Sequence, residues 1–311
     1  MNTAWPHRPS QMVMVAMTHE RVTVRAPAKI NLYLHVTGKR PDGFHELDSL
    51  VVFTASGDTV RVSPAASGAG LHFTASGPFA DRIGPDADNL VVRAARLMAE
   101  TVDPASLDVD IHLTKRLPVA AGIGGGSSDA AATLRALNRY WEAGLDDAQL
   151  ATLGLQLGAD VPMCLYRNPV FVGGIGEAIT KAPALPLLSL VLVNPGIGLA
   201  TPDVFKAYAD GHDGKFSAAQ RFADEPGSPG ALAELLKKRG NDLSPAALSL
   251  APVIGEMLSE LGRQPGCLLA RMSGSGATCF GLFADSAEAE AARHTIQLNH
   301  DAWWCDAMML F

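Results

Sequence analysis

Alternating hydrophobic and polar residues predict strands and helices along most of the chain. Val109, Ile111 and Leu113 alternate with polar residues, as in a strand with one buried face. Residues 89–100 instead carry apolar side chains at helical spacing. The same patterns predict further strands at 22–24, 30–36, 49–62, 70–75, 170–180 and 187–193, and further helices at 127–141 and 148–157.

The second half of the chain predicts a mixture of the two element types. A strand and a helix precede a polar loop at about 209–230, which is followed by two helices, two strands joined by a glycine turn, a helix and a final strand. The loop is rich in Gly, Asp, Ser and Pro and is predicted to be mobile. The expected fold class is α+β, with one domain at 21–175 and a second at 176–311, because 311 residues exceed a typical single core.

Residues 1–20 show no pattern typical of a folded element. The apolar run at 12–17 is too short for a signal-peptide core, and a membrane helix needs about 20 apolar residues. We therefore expect a disordered extension. Translation from Met17 would begin the chain just before the first strand.

Composition narrows the classes of partner. The 25 basic and 32 acidic residues give a formal net charge of −7, which argues against nucleic-acid binding driven by bulk charge. We expect a small-molecule ligand, with neither a nucleic acid nor a membrane as partner, while monomer and homodimer both stay open. The cysteines lie in apolar stretches without metal-ligand spacing, which predicts buried reduced thiols in a cytoplasmic protein: Cys164, Cys267, Cys279 and Cys305.

A glycine-rich run follows the strand at 109–113. Four glycines within residues 122–126 lead into Ser127, Ser128 and an alanine-rich helix. Glycine lets an anion approach the backbone closely, and a helix N-terminus offers unpaired N–H groups, so this order predicts a phosphate-binding loop. No lysine follows Gly126, which excludes a Walker A loop, and Ser127 replaces the third glycine of the dinucleotide fingerprint. The alternative is a turn that only brings the helix close to the sheet.

The strand after Pro27 carries a second candidate group. Alternation places Lys29, Asn31, Tyr33 and His35 on one face and aliphatic residues on the other. This polar face is either simply solvated or functional. The proline favours function, because breaks of this kind turn side chains out of the strand ladder.

Two shorter motifs leave alternatives open. Asp160 precedes Pro162 by two residues, and this pattern alone favours a helix N-cap over a catalytic carboxylate. The glycine turn at 273–276 joins two apolar strands and is either a hairpin turn or a second anion-binding turn.

Together these motifs resemble the GHMP superfamily of small-molecule kinases. The resemblance rests on Pro-x-x-x-Gly-Ile-Gly-Gly-Gly-Ser-Ser at 118–128, Ala-Pro-Ala-Lys-Ile-Asn-Leu at 26–32 and Ser-Gly-Ser-Gly-Ala at 273–277. Asp-Gly-Phe-His at 42–45 is similar to the branch in non-mevalonate isoprenoid synthesis, whose small-molecule substrate carries a cytidine diphosphate. The resemblance implies the GHMP kinase fold: an ATP-binding domain like domain 2 of ribosomal protein S5, a C-terminal ferredoxin-like domain, and substrates in the cleft between them.

The resemblance also implies roles for the matching residues. Asp160 would be the general base toward the acceptor hydroxyl, with Lys29 beside it. ATP, with Mg²⁺ whose ligands are not identified, would be held by Pro118, Ala120, Gly122, Gly124, Gly125, Gly126, Ser127, Ser128, Asn89 and Lys115. The cytosine ring would stack between Phe44 and Phe205, and His45 would contact it. The full set of residues that bind the acceptor substrate would be Asn31, Phe44, His45, Thr201, Phe205, Gly274, Ser275 and Gly276.

Two alternatives remain at this point. A GHMP kinase with another acceptor, such as homoserine or mevalonate, would have no use for the aromatic pair. A catalytically silent ligand sensor on the same fold would be expected to lack the base or the lysine, and this chain has both Asp160 and Lys29.

Overall fold

The computed structural model describes residues 21–84, 89–103, 107–211 and 213–310. The predicted extension at 1–20 lies outside these ranges. The described residues form two lobes, each built on one β-sheet. Among the helices in these ranges, none has the length and apolar character needed to cross a membrane.

The first lobe contains a six-stranded sheet with helices packed on it. Its strands are β1 (Val22–Lys39), β2 (His45–Pro64), β3 (Leu71–Ser76), β4 (Val109–Thr114), β5 (Val170–Gly174) and β6 (Ala178–Lys181). Its helices are α1 (Leu90–Val102), α2 (Gly125–Tyr140), α3 (Asp147–Leu157) and α4 (Val161–Tyr166). The sheet order is β3-β4-β2-β5-β6, with β1 paired to β2, and β3 runs parallel to β4. Because β6 pairs with β5, the first sheet extends beyond residue 175.

The second lobe has a four-stranded antiparallel sheet in the order β10-β7-β9-β8. Its elements are β7 (Ser189–Asn194), α5 (Thr201–Gly211), α6 (Pro229–Lys237), α7 (Ser244–Leu250), α8 (Val253–Arg263), β8 (Cys267–Met272), β9 (Cys279–Phe283), α9 (Ser286–Asn299) and β10 (Trp304–Met309). Strand, helices, two strands, helix and strand in this sheet order make a ferredoxin-like arrangement. Three helices rather than the predicted two lie between the loop and β8, because Pro245 and Pro252 each stand at the start of a new helix.

The loop predicted to be mobile is attached to the first lobe. The Gln220 N–H and Arg221 Nε donate to the buried carboxylate of Asp48 at 2.8 and 2.9 Å. The Phe222 ring packs edge-on against Phe171, with ring centroids 5.4 Å apart. The composition of the loop could not predict these contacts, because Asp48 and Phe171 lie far from the loop in sequence.

The two strands predicted at 22–24 and 30–36 form one long strand, β1, with an irregularity between Asn31 and Tyr33. A bulge exchanges the two faces of a strand, so the side-chain alternation shifts by one residue. Lys29 and Asn31 line the cleft between the lobes, and so does Leu34. Tyr33 and His35 are not among the described residues that line it. The predicted polar face is therefore wrong beyond Asn31.

Arg271 on β8 connects the bulge to the second lobe. Its guanidinium donates to the carbonyl oxygens of Leu32, Leu236 and Arg239 at 2.6, 2.9 and 2.7 Å. Burial lowers the pKa of Arg271 to about 10, which still leaves the group charged at neutral pH. One buried cation thus satisfies three backbone acceptors from two separate parts of the chain, β1 and the end of α6.

Replacing Arg271 with methionine keeps an apolar stem of similar length and removes every donor. We expect the Arg271→Met variant to lose about 3 kcal/mol of unfolding free energy, measured by urea denaturation, because three carbonyls lose a charged donor. Arg293→Met is the control, since Arg293 pairs with Glu290 on the partly exposed surface of α9. That change should cost less than about 1 kcal/mol. Equal losses in the two variants would contradict the role of Arg271.

Candidate active site

A cleft of about 650 Å³ lies between the two lobes. The first lobe contributes β1, the glycine loop and the start of α4, and the second contributes the start of α5 and the turn at 273–276. Most of the predicted site residues line this cleft: Lys29, Asn31, Phe44, His45, Ala120, Gly122, Gly124, Gly125, Gly126, Ser127, Asp160, Thr201, Phe205, Gly274 and Ser275.

A smaller cavity of about 220 Å³ adjoins the glycine loop. It contains the residues predicted for the adenosine end of ATP, Asn89 and Lys115, together with Pro118. Gly125 and Gly126 line both cavities, so the small cavity lies next to the predicted phosphate loop. Asn89 also caps α1, where its Oδ1 accepts from the Val91 N–H at 2.8 Å.

Two predicted residues are missing from the described residues that line these cavities. Ser128 is buried, and its hydroxyl has no hydrogen-bond partner among the described residues. Gly276 lies behind the cleft surface, where its backbone contacts Gly122. Their roles stay predictions.

The two glycine turns pack backbone against backbone. Gly122 has φ +73°, and a Cβ there would lie 2.7 Å from the carbonyl oxygen of Ser273. A Cβ on Gly274 would lie 2.7 Å from the carbonyl oxygen of Gly122. The Thr278 N–H donates to Ala121 across the same contact at 3.2 Å. The turn at 273–276 is therefore more than a hairpin, because it holds the phosphate-type loop at the lobe boundary.

Asp160 occupies the N-cap position of α4, as its pattern predicts, yet its side chain makes no capping hydrogen bond within this described helix. Its Oδ2 lies 3.2 Å from Lys29 Nζ instead. The Asp160 side chain is 40 % exposed, whereas that of Lys29 is 10 % exposed. A carboxylate that faces the cleft beside an ammonium can accept a proton from a bound hydroxyl.

The far end of the cleft is aromatic. The His45 ring stacks on Phe205 with centroids 5.3 Å apart and an interplanar angle of 22°. The Tyr208 ring meets His45 edge-on at 5.7 Å. Phe44 is 60 % exposed at the rim. At the base of this end, the hydroxyls of Thr201 and Ser275 lie 2.8 Å apart, which joins the start of α5 to the glycine turn.

A buried ion network lies beneath the glycine loop. Lys115 Nζ donates to Asp58 at 2.5 Å and to Asp129 at 2.7 Å. Burial alone would lower the pKa of Lys115, but the two carboxylates outweigh burial and raise it. Burial raises the pKa of Asp129 to about 7, against the opposing effect of Lys115. A Cβ on Gly125 would lie 3.1 Å from Lys115 Nζ, so the loop rests directly on this network.

Comparison with known proteins identifies the family. Residues 89–168 match the model of the GHMP kinases N-terminal domain, and residues 217–301 match the GHMP kinases C-terminal model. A relative from Rhodospirillum rubrum, named 4-diphosphocytidyl-2-C-methyl-D-erythritol kinase, is 50 % identical over 296 residues, which is 95 % of either chain. The chain belongs to the 4-diphosphocytidyl-2-C-methyl-D-erythritol kinase family. A member from Paramagnetospirillum magneticum is 50 % identical over 282 residues, covering 91 % of this chain and 96 % of that one.

Solved structures agree with this family and its fold. A crystal structure of a 4-(cytidine 5′-diphospho)-2C-methyl-D-erythritol kinase is 34 % identical, with a TM-score of 0.74, and covers 93 % of this chain and 98 % of its own. A homoserine kinase from Cytophaga hutchinsonii has a TM-score of 0.67 at 18 % identity over 95 % of this chain and 96 % of its own, which shows the shared fold alone. The prediction of a GHMP kinase fold is confirmed.

Several residues of this family member escaped the sequence analysis. Asp58 follows Ser56 and Gly57 and resembles an ordinary turn aspartate, and Asp129 lies in an alanine-rich helix. Ser49 lines the cleft and directly precedes the apolar run at 50–53 of β2. The polar pair Asp48 and Ser49 before that run was the available signal.

Replacing Gly122 with alanine tests the contact between the glycine turns. We expect Gly122→Ala to reduce both kcat and Tm, because the new Cβ would meet the backbone of the opposite turn. Gly144→Ala is the matched control: Gly144 has φ +68°, and a Cβ there would meet nothing within 4 Å. The control carries the same conformational strain without the contact. Similar losses in kinase assays and thermal melts would contradict the proposed packing.

The Asp129 carboxyl predicts a pH dependence of stability. Its pKa rises from 3.8 to about 7 on folding, so the native state keeps a proton that the unfolded chain has lost. This contribution to stability is complete below about pH 4 and disappears as the pH passes about 7. Asp129→Asn cannot titrate, so the Tm of the wild type minus that of the variant should fall between about pH 4 and about pH 7. A constant difference across this range would contradict the shift.

Proposed function

We propose that this protein transfers the γ-phosphoryl group of ATP to a hydroxyl of 4-diphosphocytidyl-2-C-methyl-D-erythritol, giving the 2-phosphate and ADP. The family relatives carry this substrate in their names. The observation that carries the mechanism is the Asp160 carboxylate, which forgoes capping its helix and lies 3.2 Å from Lys29 between a glycine loop and an aromatic pocket.

The donor and the acceptor approach Asp160 from opposite ends of the cleft. The small cavity takes the adenosine of ATP, and the N–H groups at the start of α2 hold the phosphates. The acceptor hydroxyl lies at Asp160, which takes its proton as the oxygen attacks phosphorus in line with the leaving ADP. The Lys29 ammonium offsets negative charge on the transferring group. Positioning and charge therefore supply the catalysis.

The described residues fit a weakly ligated Mg²⁺. Among them, no group of three His, Cys, Asp or Glu side chains could hold a metal ion. Mg²⁺ commonly keeps several waters and binds through substrate phosphates plus one or two protein oxygens. Ser127 lines the cleft and would provide such an oxygen. The bound ion would supply further charge neutralisation at the phosphates.

The aromatic end fits the cytosine of the acceptor. Phe205 and Phe44 offer ring faces for stacking, and His45 offers ring nitrogens for hydrogen bonds to the base. Phe44 carries no hydroxyl, so stacking is its whole contribution. Homoserine and mevalonate have no flat base to fill this end, which favours the cytidyl acceptor. Cytoplasmic location stays a prediction.

Asp160→Asn tests the base. We expect kcat to fall by at least about 10²-fold, because the amide cannot accept the proton. The Tm should change little, since the carboxylate caps no helix. The measurement is ADP release with ATP, Mg²⁺ and three separate acceptors: the cytidyl substrate, homoserine and mevalonate.

Phe205→Ala tests the aromatic end of the cleft in the same assay. It should raise KM for the cytidyl substrate and leave KM for ATP unchanged.

Each other outcome has a defined meaning. Turnover of homoserine or mevalonate in place of the cytidyl substrate would contradict the assigned acceptor. Full activity of Asp160→Asn would remove Asp160 as the base. Inactivity of the wild type on all three acceptors would favour the ligand sensor.

A further inference from the structure

We propose that Ser49 is a positioning residue that fixes the Asn31 amide and, through it, holds the Lys29 ammonium beside Asp160. Ser49 is 1 % exposed on β2 and lines the cleft. Its side-chain hydrogen bonds among the described residues go to Asn31 and Tyr33 and not to Lys29 or Asp160, so it acts through Asn31. This inference rests on the proposed function, because Lys29 and Asp160 are the reacting pair.

The first step concerns the one proton of the Ser49 hydroxyl. Ser49 Oγ lies 2.5 Å from the carbonyl oxygen of Tyr33. A carbonyl oxygen can only accept, so Ser49 donates its proton to Tyr33. The lone pairs of Ser49 Oγ remain for a donor.

The second step fixes the orientation of the Asn31 amide. Asn31 Nδ2 lies 2.7 Å from Ser49 Oγ and donates to it. With the Ser49 proton committed to Tyr33, a flipped amide would bring two acceptors together. Asn31 Oδ1 must therefore point the other way, toward Lys29. Ser49 thus decides which end of the amide faces the cleft.

The third step concerns the ammonium of Lys29. Its Nζ donates to Asn31 Oδ1 at 3.1 Å and lies 3.2 Å from Asp160 Oδ2. Two acceptors on either side hold the ammonium at one point. Without the oriented amide, Lys29 would keep Asp160 as partner but lose the contact that sets its position. A displaced ammonium would stabilise the transferring phosphoryl group less well.

The bulge in β1 explains why the Tyr33 carbonyl can accept a side-chain proton. The ladder pairs Asn31 with Val51 and Tyr33 with Leu50. Between these two pairs β1 advances by two residues while β2 advances by one. The disrupted pairing leaves backbone groups that need other partners. Ser49 satisfies one of them and in doing so becomes a hydrogen-bond acceptor for Asn31.

The experiment compares Ser49→Ala with Ser49→Thr. We expect Ser49→Ala to lower kcat about tenfold with KM for ATP unchanged, because the ammonium shifts while the phosphate loop stays intact. Ser49→Thr retains the hydroxyl and should keep most of the wild-type kcat. Thr133→Ala is the matched control, since it also removes a buried hydroxyl, one that donates within α2 to the backbone carbonyl of Asp129 at 2.8 Å. This control should lower Tm and leave kcat unchanged.

A double-mutant cycle separates positioning from general destabilisation. If Ser49 acts through Asn31, Ser49→Ala should add little to the loss in Asn31→Ala, whereas independent effects would multiply. Multiplying effects, or a Ser49→Thr variant as slow as Ser49→Ala, would overturn the proposal.

A crystal structure of Ser49→Ala gives a test that needs no turnover. We expect the Asn31 amide to rotate and Lys29 Nζ to leave Asn31 Oδ1, and unchanged positions of both groups would overturn the proposal. An inactive wild type would contradict the proposed function, while the same crystal structure would still decide the role of Ser49.

Discussion

Backbone hydrogen bonding at the irregular part of β1 is the constraint on which the two-lobe structure depends. Where the ladder with β2 is interrupted, each buried polar group without a partner would cost about 1–3 kcal/mol. The Lys29 N–H donates to Ile123 in the glycine loop, the Asn31 N–H donates to Ser273 in the second glycine turn, and the Leu32 carbonyl accepts from Arg271. One short segment thereby joins both turns and both lobes.

The same segment carries Lys29, one of the two side chains proposed for chemistry, so folding and catalysis depend on common contacts. The backbone of Lys29 holds the glycine loop while its ammonium faces Asp160. Glycine at 122 and 274 allows the two turns to touch. A larger residue at either turn would separate the lobes at the point where donor and acceptor meet. The geometry of the cleft is therefore set by backbone contacts and not by its lining side chains alone.

Much of the fold and part of the site could be predicted from local sequence. Local residue patterns determine the glycine loop, the N-cap position of Asp160 and most strands, so these features could be predicted. The predicted strand faces of Tyr33 and His35 were wrong, because a one-residue bulge reverses the alternation of side chains without altering composition. The partners of Lys115 and Asp48 were missed because each lies far away in sequence. The role of Ser49 could not be predicted, because it depends on the direction of a hydrogen bond that only the three-dimensional structure shows.

Some residues in and beside the proposed site do not fulfil their local structural role. An aspartate at an N-cap normally stabilises its helix by about 1 kcal/mol, and the Asp160 side chain makes no such bond. In the first turns of α2, the Ser128 hydroxyl and one oxygen of Asp129 are buried without partners, two of the six such atoms among the described residues. Native proteins satisfy most buried polar groups, so each exception calls for a reason. A phosphate bound at the proposed site beside Ser128 would give its hydroxyl an acceptor.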